Sequence, residues 1–507
     1  MKQFRLLLLL ALLMTAVTGA WAQSTTHVVN QDNVNTIFSG DGYTLGDGVT
    51  AGDVLDFQGT IDLGEETSHS LIVNKQVTIK SSTKDAVVML HTVSGSLLGE
   101  DPGNSFVINK AASGSTIEDI KLYNTQTWIY NTSNVTFTGV TFHVEEARVG
   151  SGVGHVALRY SDHVTFSGCT VYTKNNGGSA AFVLTGSSYC TIDNCTILSE
   201  GNVGSPLNLG NVFNDQDKPE GFPTENNQVV SHHNTVKNCT LTKAEGNAFA
   251  IMCGGKCGLV EGNTINNGSL STVFGATQPA NADEGWTYRN NTITNGLTPL
   301  NYSTVENNTV GGSISCSQGS LVKGNNCNSL SGSGAGATIQ NNIVTTTNSL
   351  SFSGNNQTIS GNEFAGNVTL SGNNQTFTGN TMSNGNLTVT KKGATITDNT
   401  IITTGDFAIE LKSAADDANN KVQNNVLIAA TNKGDAAVKS TSESNIISGN
   451  YTAYKVKMKE GVTDADKWTI TPEEATTDGV REGSTVTLQY NGRLKVKGVK
   501  ATSDAAQ

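Results

Sequence analysis

Along most of the chain apolar residues recur two positions apart in short runs rich in Val, Ile, Thr and Phe, and each run is broken by Gly or Asn. A helix would need a 3.6-residue apolar period, so the pattern predicts strands. One unit repeats: an aliphatic residue, a variable residue, Gly, Asn or Asp, then Asn, then a second apolar residue two positions on. It reads Val260-Glu261-Gly262-Asn263-Thr264-Ile265, Val305-Glu306-Asn307-Asn308-Thr309-Val310, Ile359-Ser360-Gly361-Asn362-Glu363-Phe364 and Ile396-Thr397-Asp398-Asn399-Thr400-Ile401. With the Gly, Asn or Asp before the key Asn as anchor, the repeat falls at positions 119, 139, 168, 194, 238, 262, 290, 307, 324, 341, 361, 379, 398, 424 and 449. The intervals run from 17 to 44 residues.

A unit of that size with two or three strands cannot bury its apolar residues alone, but stacked copies bury a continuous core. The expected fold is all-β, a single-chain parallel β-helix. The key Asn suits a turn, because it tolerates left-handed backbone and its amide can bond the Asn one coil away. Asn263, Asn291, Asn308, Asn325, Asn342, Asn362, Asn380, Asn399, Asn425 and Asn450 are expected to form a stacked ladder.

Upstream the same column holds Ile120, Val140, Cys169, Cys195 and Cys239, while Cys190 and Cys327 fall on other inward positions. These five cysteines read as small buried side chains rather than as disulfide or metal chemistry, since stacked residues on adjacent parallel strands are poorly placed for a bridge. Cys253 and Cys257 flank a Gly-Gly-Lys turn and could be bridged. No four converging zinc ligands are present in the pattern.

Residues 1 to 22 carry Lys2 and Arg5, an apolar run from Leu6 to Leu13 and small residues at Ala20 and Ala22. This reads as a cleavable secretory signal peptide with cleavage after Ala22. No later apolar run is long enough to span a membrane. Losing Lys2 and Arg5 takes the formal charge from -12 to -14, which disfavours nucleic acid and anionic lipid as partners. Residues 23 to 110 read as an N-terminal cap and first coils, 111 to 452 as the regular β-helix, and 453 to 507 as a small C-terminal β module or cap. In the last, Thr485 to Tyr490 and Leu494 to Val499 flank Asn491-Gly492, the pattern of a β-hairpin.

Chemistry must come from outward residues. Between 290 and 390 the only charged residues are Glu306, Lys323 and Glu363, so that stretch reads as scaffold. Earlier coils are richer. Aligned on inward Ile129, Leu158 and Leu184, six residues before inward Val135, Val164 and Cys190, one outward column holds Trp128, Ala157 and Val183 and the next Tyr130, Arg159 and Thr185. An exposed Trp128 and Tyr130 beside Arg159 would stack on a sugar ring and bond its hydroxyls or a carboxylate; aromatics covering a sheet face are the alternative. A further column, Glu145, Lys174 and Glu200, reads as an exposed ion ladder. The longest interval, between anchors 194 and 238, is an insertion of the kind in which binding resides. It carries Asp215 and Asp217, which could ligate Ca2+ although the calcium-loop pattern is incomplete, and the adjacent pair His232-His233. No other cofactor is expected.

The segments Gly52-Asp53-Val54-Leu55-Asp56-Phe57-Gln58-Gly59, Ser81-Ser82-Thr83-Lys84-Asp85-Ala86, Pro102-Gly103-Asn104-Ser105-Phe106-Val107-Ile108-Asn109, Arg148-Val149-Gly150-Ser151-Gly152-Val153-Gly154 and Asn175-Asn176-Gly177-Gly178-Ser179 resemble adhesin-like β-helix surface proteins of host-associated microbes. The resemblance covers roughly residues 50 to 205. It implies a right-handed helix of the pectate-lyase-like type and a role at the cell surface, with a polysaccharide or a host or neighbour cell surface as partner. The alternatives are a polysaccharide lyase or glycoside hydrolase, which needs a base with a cation or two carboxyl groups at a fixed separation, and a purely structural stalk. Arg159 has only Tyr130 and Thr185 beside it in the aligned columns, with no carboxylate among them.

Overall fold

The structure is a computed structural model, and it describes residues 24–64, 70–91, 104–145, 155–174, 180–200, 205–210, 212–213, 218–225, 227–243, 249–273, 275–413, 417–451, 468–471 and 487–490. The chain divides into two compact units, Met1–Met252 and Cys253–Gln507. Asp215, Asp217, Glu146, Arg148 and the signal peptide lie outside the described residues. No helix among the described residues is long and apolar enough to cross a membrane.

In the first unit Thr26–Val29 pairs in parallel with Val54–Phe57, and Val54–Phe57 with Thr78–Lys80. Further on, each coil contributes three short strands, as in Val156–Arg159, Thr165–Ser167 and Thr170–Lys174. Every one of these pairs in register with its equivalent in the next coil. Inward residues stack between coils: Phe137 lies over Phe166 with centroids 4.6 Å apart and planes 3° from parallel. Such alternation of buried and solvated positions fixes the register, because a slip of one residue would turn every Phe outward.

In the second unit the coils tighten, and the column of asparagines is continuous. Nδ2 of Asn291 donates to Oδ1 of Asn308 at 2.9 Å, Asn308 to Asn325 at 2.9 Å, and Asn325 to Asn342 at 2.9 Å. The series begins at Asn263, whose Nδ2 donates to Asn291 at 3.0 Å. It runs on through Asn362, Asn380, Asn399, Asn425 and Asn450. From Asn291 onward each oxygen also accepts the backbone N–H of the preceding rung, as from Asn308 to Asn325 at 2.9 Å. Both ends of each buried amide are thereby satisfied, which burial requires.

The left-handed residue is the anchor, one position before the ladder Asn. All fifteen anchors have positive φ, from 52° at Asn194 to 69° at Gly449. Only Gly, Asn and Asp hold that conformation at low cost, which is why only these three types occur there. In the first unit the ladder position is taken by Cys169, Cys195 and Cys239, all buried. Cys239 copies the amide's role in part, since its thiol accepts the backbone N–H of Cys195 at 3.4 Å and donates to the carbonyl of Ile192 at 3.5 Å. Cys190 and Cys327 are also buried, and burial pushes each thiol up to about 12. All eight cysteines, Cys253 and Cys257 included, are free thiols. Near the C-terminus Thr487–Tyr490 pairs antiparallel with Trp468–Thr471; the stretch Leu494 to Val499 lies outside the described residues.

Candidate functional site

The columns expected to carry the contact residues are present in the register read from the sequence, but they are not exposed. Trp128 stands opposite Ala157 and Tyr130 opposite Arg159, with Val183 and Thr185 on the following coil. Trp128 is 0% and Tyr130 7% exposed. The insertion folds back over this outward face. Its short strands Val212–Phe213, Thr224–Glu225 and Gln228–Val229 form a small antiparallel sheet, and Val229 joins Trp128, Tyr130, Ala157 and Tyr160 in an apolar cluster, with Phe222 against it. Tyr160 meets Tyr130 edge-on at 5.9 Å and Phe222 at 4.8 Å. Gly186 leaves room for this contact: a Cβ there would come within 2.9 Å of the Tyr160 ring and 3.3 Å of Phe222. The expected exposed aromatic patch is therefore an outer core, and of its three residues only Arg159 stays half-exposed, its guanidinium 5.2 Å from the Trp128 ring centroid.

The covered face is not wholly apolar. Nε1 of Trp128, Oδ1 of Asn208 and both ring nitrogens of His155 are buried without a hydrogen-bond partner among the described residues. Burial lowers His155 to about 4, so it is held neutral at physiological pH.

Beside the insertion lies a row of rings that the structure does expose. Asn134, His163, Tyr189 and His233 occupy equivalent turns, each with φ of 56° or 57°, and the backbone N–H of each of the first three donates to the carbonyl one residue before the next. His163 stacks on Tyr189 at 5.0 Å and Tyr189 on His233 at 4.8 Å, while His232 meets Tyr189 edge-on at 5.2 Å. Tyr189 is 45% exposed. His163 and His233 are exposed as well. Asn and His tolerate this backbone; a bulky Tyr does so at a cost. The alignment that put Val135, Val164 and Cys190 inward already places Asn134, His163 and Tyr189 in one column, so the signal was one residue away from the positions used. His232 and His233 approach through their Nδ1 atoms at 3.1 Å. Among the described residues no group of three or more His, Cys, Asp or Glu side chains is placed to hold a metal ion.

A second row occupies another face. Tyr123, His143 and Tyr172 are in register on successive coils, each four residues after an anchor. The carboxylates of the supposed ion ladder take partners from this row: Glu145 pairs with His143 Nε2 at 2.7 Å, and Glu200 accepts from the Tyr172 hydroxyl at 2.9 Å.

Burial alone would raise Asp53 and Asp56, but hydrogen bonds to their carboxylates outweigh it and hold Asp53 down to about 2 and Asp56 below its ordinary value. Asp85, Glu145, Glu284 and Asp417 are lowered mainly by hydrogen bonds from Thr83, His143, the Ala280 backbone and Lys392. A general acid of a hydrolase needs the opposite shift.

Residues 104–310 match the family model for the right handed beta helix region. The fold is a right-handed parallel β-helix. Among solved structures this β-helix is similar to PfbA, a surface adhesin of Streptococcus pneumoniae, at 10% identity over 91% of this chain and 95% of that one, TM-score 0.29. It is similar to a tailspike protein of E. coli bacteriophage HK620 in complex with pentasaccharide, at 10% identity over 82% and 75%, TM-score 0.36. It is also similar to the catalytic domain of a GH87 alpha-1,3-glucanase in complex with nigerose, at 13% identity over 85% and 70%, TM-score 0.31. At these scores the likenesses carry no functional weight. No curated protein matches the sequence.

Proposed function

We propose that this is a secreted, surface-displayed recognition protein that binds a glycan or a host or neighbour cell surface through the lateral face of its first unit, without covalent chemistry. The observation that carries the reading is the exposed row His163, Tyr189 and His233 at the foot of the insertion. A Tyr that keeps a strained backbone and 45% exposure does little for stability. Its hydroxyl and the neighbouring imidazoles offer donors and acceptors at the spacing of successive coils, suited to the hydroxyls of a sugar chain. Secretion rests on the signal-peptide pattern at residues 1 to 22.

The test uses residues 23 to 507 with a panel of acidic and neutral polysaccharides, with and without Ca2+, scored for glycan-array binding, unsaturated products and reducing ends. Binding without products is expected, and for at least one polysaccharide of the panel it should be lost in His163→Asn/Tyr189→Asn/His233→Asn, a variant that places in each turn the residue the chain itself uses at Asn134. Product formation would replace this reading with a lyase or hydrolase. Unchanged binding by the triple variant would remove the row from the contact surface.

A further inference from the structure

We infer that Tyr123, His143 and Tyr172 form a second binding row, separate from the His163, Tyr189 and His233 row, for an uncharged polysaccharide chain lying along the stack of coils. It rests on the glycan-binding reading in kind, but on a different set of residues. The three rings are half-buried. Tyr123 and His143 lie 5.1 Å apart with planes at 26°, and His143 and Tyr172 4.4 Å apart at 38°. The row is bounded, because the register places Met89 before Tyr123 and Leu198 after Tyr172. It spans three coils, two steps of about 4.8 Å each.

The rim supplies what a chain of vicinal hydroxyls requires. Glu145 and Glu200 accept through their remaining lone pairs, Lys121 and Lys174 donate, the Tyr172 hydroxyl, its proton given to Glu200, accepts, and the Tyr123 hydroxyl does either. Lys121 sits over the Tyr123 ring at 4.9 Å, and the backbone N–H of Glu145 donates to the Asn124 side chain at 2.9 Å, which steadies that carboxylate beside the row. The register sets Lys174 directly opposite Glu200, and Glu145 one position past the pair Val144 and Thr173. Sign therefore alternates from Glu145 to Lys174 to Glu200 along one column. A ligand charge attracted by one rung is opposed by the next about 4.8 Å away, so net charge on the ligand gains nothing, whereas hydroxyls pair with every rung.

Catalysis is a poor use of this row. The hydrogen bond from His143 keeps Glu145 ionised, and burial together with the bond to Glu200 raises Tyr172 to about 12. Neither group is poised to exchange a proton near neutrality.

The experiment titrates residues 23 to 507 with neutral oligosaccharide series from β-1,3-glucan, β-1,4-glucan, xylan and mannan, and with polygalacturonate, at low and high NaCl. Affinity for at least one neutral series is expected to rise with length up to about two or three sugar units, the reach of two steps between three rungs, and to be nearly independent of salt. Tyr123→Ala/Tyr172→Ala should weaken it about tenfold or more, and Tyr172→Phe, which removes one hydroxyl, about two- to fivefold. The same affinity should persist in the His163→Asn/Tyr189→Asn/His233→Asn variant, which separates failure of the first row from failure of this one. Salt-sensitive binding of polygalacturonate alone, no binding to any neutral series, or neutral binding that the Tyr123 and Tyr172 variants leave unchanged would each overturn the inference.

Discussion

Asn450 donates through Nδ2 to Oδ1 of Asp435 at 2.6 Å, and its backbone N–H reaches the same oxygen at 2.9 Å. Nine asparagines before it hand their amides from rung to rung, and a carboxylate closes the series. An amide ladder of this kind must end on an acceptor, or its last donors face water or nothing.

Position along the ladder should therefore set the cost of breaking it. Asn380→Ala removes a buried amide that serves Asn362 on one side and Asn399 on the other, with an expected loss of about 2–4 kcal/mol. Asp435→Ala, at the exposed end, is expected to cost about 1 kcal/mol or less and to speed amide exchange only in the last coils. Denaturant melts and hydrogen exchange on the two variants read this directly.

Tyr189→Asn should separate stability from recognition. Relief of the left-handed backbone returns about 1 kcal/mol, and loss of exposed stacking takes away about 0.5–1 kcal/mol. The melting temperature is expected to move by only a few degrees while glycan binding falls. A large drop in melting temperature would assign Tyr189 a structural role instead.

His155 makes the first unit sensitive to acid. Its folded pKa, about 4, lies below the ordinary 6.5, so the unfolded chain binds the extra proton first. Its contribution is present in full above about pH 6.5 and is lost as pH falls toward 4, to a total of about 3 kcal/mol. His155→Leu should flatten the stability profile in that window, measured by urea midpoints from pH 7 to 4.

The insertion should act as a removable cover. Phe222→Ala deletes the ring that meets Tyr160 and is expected to raise acrylamide quenching of Trp128, measured in a background where the other tryptophans are replaced by Phe. Gly186→Ala should do the same by a different route, since its added methyl needs the space that the Tyr160 and Phe222 rings occupy.

Thiol labelling in native conditions is expected at Cys257, the one cysteine with partial exposure. The other seven are buried and should react only on unfolding; a sub-stoichiometric total after unfolding would reveal a bridge.

Much of this architecture was legible because the coil is periodic. The anchors and the Asn column follow from spacing, and the column alignment set Trp128 against Ala157 and Tyr130 against Arg159 in the register the structure has. What the alignment could not supply was the third dimension of an irregular segment. Nothing in the sequence around Phe222 and Val229 says that they return to cover Trp128, because an insertion follows no period. Both rows have a fixed place in the repeat, one residue before Val164 and Cys190 and four after anchors 119, 139 and 168. In the first row His and Tyr at a left-handed turn look like exceptions to the Gly and Asn pattern rather than members of its column.

Each coil is held by one left-handed anchor and one ladder side chain, and the chain between them is free to vary. Consecutive ladder positions lie 17 residues apart at Asn291 and Asn308 and 44 apart at Cys195 and Cys239, yet both steps keep the backbone N–H of one rung bonded to the side chain of the next. A lineage can therefore lengthen, exchange or graft a loop between two anchors without rewriting the frame. The economical unit of change in this molecule is the segment between anchors, and new specificities can be installed on an old spine.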